Sequence, residues 1–336
     1  MNVLVTGGAG YIGLNVCAEL YKKAHKPIIL DNFANSTMFA VNELERLIGK
    51  VTVIDENLIN LPKVVEVLEK YNINAVIHLA GWKCVPESEE IPLWYYFNNV
   101  ACSIILFNAM KKVGCKKLIF SSSCAVYGNP LEYPIPETHK TQPISTYGKT
   151  KLIVENILQD WYRTDQTMQI NLLRYFNPIG ATINLGDSPK KIPDNLLPYI
   201  TQVAIGKLDK LKIFGNDFET YDGTGIRDYI HIEDLAYGHV AALEYLQPEC
   251  SVYNLGTGYG HSVLEIVDRF QEVTGKKIPY EFAPRRFGDC AIAVADVQKA
   301  RETMDLRFDH YDLDYMIATA WEFQQRFPNG YVYKPK

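Results

Sequence analysis

Residues 1–13 read MNVLVTGGAGYIG. The apolar run Asn2–Thr6 passes straight into Gly7, Gly10 and Gly13, evenly spaced, and the amphipathic stretch YIGLNVCAELYKKA begins at Tyr11. A strand that turns directly into a helix aims the helix's unpaired N–H groups and its positive dipole end at whatever lies above the turn. Pyrophosphate fits that place. Gly7 permits the tight turn, Gly10 lets the backbone approach the phosphates because it has no Cβ, and Gly13 lets the helix lie close to the sheet. Three glycines alone are a weak signal, but a strand before and a helix after supply the context the pattern needs.

Working outward, the second apolar run, PIIL, leads to Asp31 about 20 residues on, where a carboxylate accepts both hydroxyls of an adenosine ribose. The same charge repels a 2′-phosphate, so NAD is expected in preference to NADP. Further runs, VTVI, AVIHLA, KLIFSSS and QINLLRYFN, alternate with helical-period segments such as TYGKTKLIVENILQDWYR. That alternation predicts an α/β fold, a doubly wound parallel sheet of the Rossmann type. After about Arg174 the rhythm breaks into proline- and glycine-rich connections, NPIGATINLGDSPKKIPDN. The expected division is therefore 1–174 for the NAD-binding domain, with segments near 225–250 returning to it. Residues 175–336 would mainly form a smaller mixed α/β substrate-binding domain.

The 336 residues suffice to bury about three quarters of the unfolded surface. With 34 basic against 39 acidic side chains, a formal charge of −5 and no long Lys/Arg run, nucleic acid is not an expected partner. Seven scattered cysteines show neither a C-x-x-C pair nor zinc spacing, which points to free thiols in a reducing compartment and to no metal. No apolar stretch nears the ~20 residues needed to span a bilayer, and no charged leader precedes the first strand. A soluble cytoplasmic protein is expected.

The chemistry rests on SSSCAVYG after the strand KLIF, and on Tyr147 with Lys151 four residues later, on one helix face. A tyrosine titrates near ~10, and acting as a base near neutrality requires a drop of about 3 units, about 4 kcal/mol. An ammonium about 5 Å away at an effective dielectric of about 20 supplies about 3 kcal/mol. Lys151 is therefore expected to cover most of the shift, and to hold the nicotinamide ribose as well. Ser123 is the expected relay between the tyrosine and the substrate hydroxyl.

These residues together resemble the extended short-chain dehydrogenase/reductase family and, within it, the UDP-galactose 4-epimerases. The likeness covers nearly the whole chain through TGGAGYIG, LDN, HLAG, WKCVPES, NNV, SSSCAVYG, YGKTK, LRYFNPIGA, IPDNLLPYI, IFGNDFETYDGTGIRDYIHIEDLA, YNLGTG and APRRFGD. It implies an isomerase that interconverts UDP-galactose and UDP-glucose by transient oxidation at sugar C4. Tyr147 would be the base, Lys151 its partner and Ser123 the relay, with a 4-keto sugar that rotates before hydride returns. It further implies a homodimer. Around NAD it places Gly7, Gly10, Tyr11, Ile12, Gly13, Asp31, Asn32, Asn35, Ser36, Asn57, Leu58, Leu79, Ala80, Lys83, Asn98 and Tyr175. Around the UDP-sugar it places Asn177, Asn195, Leu196, Lys212, Phe214, Arg227, Arg286, Asp289 and Ala293. Planar guanidinium forks suit a diphosphate.

The chain departs from the family in four places. Asn57 replaces an aspartate after the third strand and keeps an acceptor oxygen without the charge. Cys124 and Ala125 stand where Ala-Thr is usual, Leu14 and Asn15 where Ser-His is usual. Ala293 falls where a tyrosine excludes 2-N-acetyl sugars, so interconversion of UDP-GlcNAc and UDP-GalNAc is expected too, or even as the dedicated activity. A 4,6-dehydratase would need an acid and base pair where Cys124 and Ala125 stand. A non-catalytic NAD sensor would not need both Tyr147 and Lys151.

Overall fold

The computed structural model describes residues 1–306 and 308–331. Six strands alternate with helices through the first half: β1 (Asn2–Thr6), β2 (Lys26–Asp31), β3 (Thr52–Asp55), β4 (Ala75–His78), β5 (Lys117–Ser123) and β6 (Gln169–Tyr175). Being covered on both faces, such strands read as near-continuous apolar runs. The interiors of β1, β2, β4, β5 and β6 are accordingly buried.

Seven short strands follow: β7 (Asn177–Ile179), β8 (Ala181–Thr182), β9 (Leu185–Gly186), β10 (Leu211–Phe214), β11 (Ile226–His231), β12 (Cys250–Leu255) and β13 (Gly260–Ser262). The last two are β14 (Tyr280–Ala283) and β15 (Ile292–Ala293). The large sheet runs β12-β6-β5-β4-β1-β2-β3, all parallel. The order reverses between β1 and β4, and in such sheets the ligand crevice lies outside the carboxyl ends at that switch point.

The chain comes back to this sheet through the helix Ile232–Glu244, whose buried face packs with the helix Tyr11–Lys22 in one core, and through β12 at the edge. A separate core under the small sheets joins the helices Leu196–Ala204, Val263–Thr274 and Leu313–Arg326. β11 is the hinge piece of this second half, pairing with β7, β13 and β15 rather than with the large sheet.

Candidate active site

Gly7 has φ +69°, and a Cβ on it would stand 2.8 Å from Ala80 N, so no other residue fits the turn. Gly13 would bring a Cβ within 2.4 Å of Gly7 O. What it lets close in is therefore the glycine turn itself more than the sheet. A Cβ at Gly10 meets only Gly7 O, at 3.3 Å, which leaves its outer side open to a ligand. Gly10 caps the helix without a side-chain acceptor, so the first N–H groups, at Tyr11, Ile12 and Gly13, are left for an anion.

At the end of β2, Asp31 ties the nucleotide side together: it accepts N–H bonds from Ala9 (3.0 Å) and Phe33 (2.9 Å) and the Ser36 hydroxyl (2.8 Å). Asn32 accepts from Ala34 N (3.1 Å), and Asn35 lies in the same loop. A bare helix terminus beside a carboxylate at the next strand's end fits a dinucleotide.

Asn57 requires a correction. β3 ends at Asp55, and Asn57 is exposed two residues beyond it, with its side-chain oxygen already accepting from Ile59 N at 3.1 Å. The acceptor shapes a local turn, which leaves its second lone pair and the exposed amide for a ligand. Its neighbour Leu58 is buried in the core.

On the inner side, Leu79 and Ala80 follow β4, and Asn98 donates to Asn99 at 3.0 Å. Asn99 is a fastener that the sequence did not reveal. It accepts from Trp82 N (2.8 Å), donates to Trp82 O (2.9 Å) and reaches Thr150 (3.1 Å) on the helix Thr146–Thr164. That helix starts with Ser145 capping Gly148 N at 3.1 Å, while Ser88 accepts the N–H of Tyr147 at 3.1 Å.

Tyr147, Ser123, Lys151 and Tyr175 are brought together, with Ser123, whose Oγ accepts the Ala125 N–H at 3.2 Å, close enough to act on the Tyr147 phenol. Lys151 does not do what its spacing promised. Its Nζ donates to Ser121 O at 2.6 Å and lies 6.0 Å from the centre of the Tyr147 ring. Burial pushes the Tyr147 phenol well above its usual range, Tyr175 adds to this, and Ser123 opposes it. Burial likewise pulls Lys151 down to about 8, against Glu155. Desolvation of both groups outweighs a single ammonium at that distance. Tyr175 itself, bonded to Ser121, is raised to about 12 by burial.

Two further residues hold this geometry. A Cβ on Gly148 would stand 2.6 Å from Ala125 O, so the glycine lets the helix touch the loop after Ser123. A glycine inside a helix costs about 1 kcal/mol, and that cost was its signal in the sequence. Glu155, one helix turn past Lys151, is fully buried and binds Arg174 (2.6 and 2.9 Å) and Ser122.

On the opposite wall, Asn177 on β7 is in register with Tyr229 on β11. Arg286 binds Asp289 through two nitrogens (3.0 and 3.4 Å) and lies 4.8 Å over the Phe214 ring. Arg227 folds back onto Ile226 O at 2.8 Å. Both guanidinium charges act on the Tyr229 phenol, so the two arginines share one neighbourhood. Asp187, absent from the sequence reading, links the two walls: it receives Asn195 at 3.0 Å and pairs with Lys83 at 3.7 Å, just before Leu196 opens its helix. Lys212 shares the solvent-facing side of β10 with Phe214. Ala293, in register with Arg227, is buried in a cluster with Val126 and Tyr127, against which Cys124 and Cys290 pack.

The sequence pattern of the NAD dependent epimerase/dehydratase family matches residues 3–256. The chain belongs to that family. This member is 47% identical to the UDP-glucose 4-epimerase of Bacillus subtilis (strain 168), over 98% of this chain and 99% of that one. It superposes on the crystal structure of UDP-glucose 4-epimerase from Bifidobacterium longum in complex with NAD+ and UDP. The TM-score is 0.96 at 44% identity, covering 98% of this chain and 100% of the other. The UDP-Glc/GlcNAc 4-epimerase of Campylobacter jejuni matches with a TM-score of 0.84 at 34% identity, over 97% and 99% of the two chains.

Proposed function

We propose that this family member interconverts UDP-galactose and UDP-glucose, and that Tyr147 takes the sugar's 4-hydroxyl proton and later gives it back. The carrying observation is the buried Tyr147 phenol beside Ser123, on a helix that also brings Lys151 beside the glycine turn's partner loop. NAD, held by the glycine turn and Asp31, would supply the hydride acceptor for sugar C4 and the hydride for its return. Because burial holds the phenol protonated, Tyr147 becomes a base only when positive charge arrives beside it, so proton removal is coupled to the oxidised cofactor. Ser123 bridges the hydroxyl and the phenol. Lys151, fixed by Ser121 O, orients the nicotinamide ribose.

Arg227 and Arg286 hold the diphosphate, Phe214 and Lys212 flank the uracil, and Asn177, Asn195 and Leu196 complete the grip. With UDP anchored, the 4-keto sugar turns over in place. Residues 1–174, with the helix and strand returning between 232 and 255, form the cofactor half, and most of the remainder forms the substrate half.

Two finer readings belong to the same proposal. Ala293 presents only a methyl group where the family resemblance expects a tyrosine that excludes 2-N-acetyl sugars, so UDP-GalNAc and UDP-GlcNAc are also substrates in this reading. Leu93 (81% exposed), Trp94 (60%), Phe97 and Ile104 crowd one stretch of consecutive helices, an apolar face suited to a second copy of the chain. The seven free thiols fit the cytoplasm, and no helix among the described residues is long and apolar enough to cross a membrane.

Proton NMR of UDP-galactose with purified protein and no added NAD tests the main reading. UDP-glucose growing to a fixed ratio is expected. No conversion even after NAD is supplied would overturn it.

A further inference from the structure

Outside the catalytic cleft, β11 ends in His231, whose ring lies 5.1 Å from that of His310. Glu233, in the first turn of the helix that follows, puts Oε2 3.3 Å from His310 Nε2. One ligand atom from each of His231, Glu233 and His310 lies within 4.8 Å of the other two. Zinc bonds of about 2.0–2.1 Å in a tetrahedron set neighbouring donors about 3.4 Å apart. The Glu233–His310 edge already has that spacing, and His231 has to close by an ångström or so at most.

The support around these residues is directional. Asp234 Oδ1 sits 3.0 Å from His310 Nδ1, and the same carboxylate accepts the backbone N–H groups of Asp309 (3.3 Å) and His310 (3.0 Å). A carboxylate that holds one imidazole nitrogen and turns the other toward the ligand position is the usual outer support of a metal-bound histidine. Tyr315 stacks on the His310 ring at 4.9 Å.

We propose that His231, Glu233 and His310 bind one divalent transition-metal ion of the zinc class, with Asp234 as the outer support. Two imidazoles and a carboxylate suit zinc, cobalt or nickel over magnesium or calcium, and three protein donors leave a position for water. In the metal-free arrangement His231 bonds Thr319 (3.1 Å) and accepts from Glu233 N (3.3 Å). Binding exchanges one of these contacts, which sets the affinity below that of a closed four-ligand site. The ion would clamp β11 and its helix to residues 308–310, which lead into the helix Leu313–Arg326. None of the three donors is among the residues proposed for catalysis.

The test uses untagged protein as purified, treated with EDTA and dialysed. Zinc is titrated by calorimetry, and cobalt(II) is followed by its visible spectrum. Expected are one equivalent at micromolar affinity, cobalt bands without thiolate charge transfer, and a rise of a few degrees in Tm with zinc. His310→Ala and Glu233→Gln should each lose binding at least tenfold, and Asp234→Asn about tenfold, with UDP-galactose turnover unchanged in His310→Ala. If His310→Ala fails to fold by circular dichroism, His310→Gln takes its place. No saturable binding below millimolar zinc would overturn the proposal. So would an undiminished equivalent in the His310 variant, which would assign the metal to the cysteines.

Discussion

On the cofactor side of the cleft the glycine turn, Asp31, Leu79–Ala80, Ser123 and Tyr175 all stand at the carboxyl ends of strands in one parallel sheet. The proposed nucleotide-sugar side collects Asn177, Asn195–Leu196, Lys212–Phe214, Arg227, Arg286–Asp289 and Ala293 from separate segments, including strands of two or three residues. The first wall is fastened from behind. Asp31 binds three neighbours, Asn99 ties the Trp82 loop to the helix Thr146–Thr164, and Glu155 is fully buried with Arg174. In the second, buried Asp228 ties β11 to Thr257, Gly258 and Ala295, but the groups facing the nucleotide rest on an exposed lysine on Asp187 and on Arg286 paired with its own loop. The contrast suits a reaction whose hydride position must stay fixed while the sugar turns over between two faces.

That contrast can be broken or sharpened experimentally. Tyr147→Phe should lose about 10³-fold in turnover while keeping NAD, measured as released nucleotide, because it removes only the acid–base group. Gly148→Ala, which forces a Cβ to 2.6 Å from Ala125 O, should lower turnover about 10²-fold by displacing Tyr147 from Ser123. Equal damage from a comparable change on the nucleotide wall would erase the distinction between a rigid and a yielding side.

Acid should loosen the fastened half. Burial lowers His78 to about 3 and His239 to about 4, whereas the unfolded chain takes up protons near ~6.5. Both histidines therefore leave stability intact above about pH 6.5. Below it, each removes about 1.4 kcal/mol per pH unit, down to its folded pKa. Denaturant unfolding across that window should show the slope, and His239→Phe should remove one share of it.

Smaller effects belong to the nucleotide wall. Arg286→Lys trades a two-pronged contact for a point charge and should weaken UDP about tenfold by calorimetry, with Tm unchanged. Ala293→Tyr should abolish UDP-GalNAc turnover and spare UDP-galactose turnover far more, at a cost of about 1–3 kcal/mol in stability because the ring must displace the cluster around Val126 and Tyr127, a loss read as a lower Tm. A variant that still converts UDP-GalNAc would move the size filter elsewhere.

How much was legible follows the same line. The need for Gly7, Gly10 and Gly13 was legible because strand, turn and helix are consecutive, although what Gly13 lets close in proved to be the turn more than the sheet. Tyr147 and Lys151 were legible as one helix face, but the reach of the ammonium was not. It depends on Ser121 O, a carbonyl on another strand, and on how far both side chains are stripped of water. Asp187, Asn99 and the His231–Glu233–His310 cluster left no local signature, since each works through partners distant along the chain.

The sequence by itself determined the α/β class, the dinucleotide turn, NAD as the cofactor and the shared helix face of Tyr147 and Lys151, because these rest on neighbours within a strand–turn–helix unit or one helix face. Only the tertiary structure decided the direction in which Tyr147 is shifted, the turn role of Asn57, the pairing of Arg286 with Asp289 and the meeting of two distant histidines. Burial and side-chain encounters between separate elements are sums over the folded whole, and no stretch of the chain contains them.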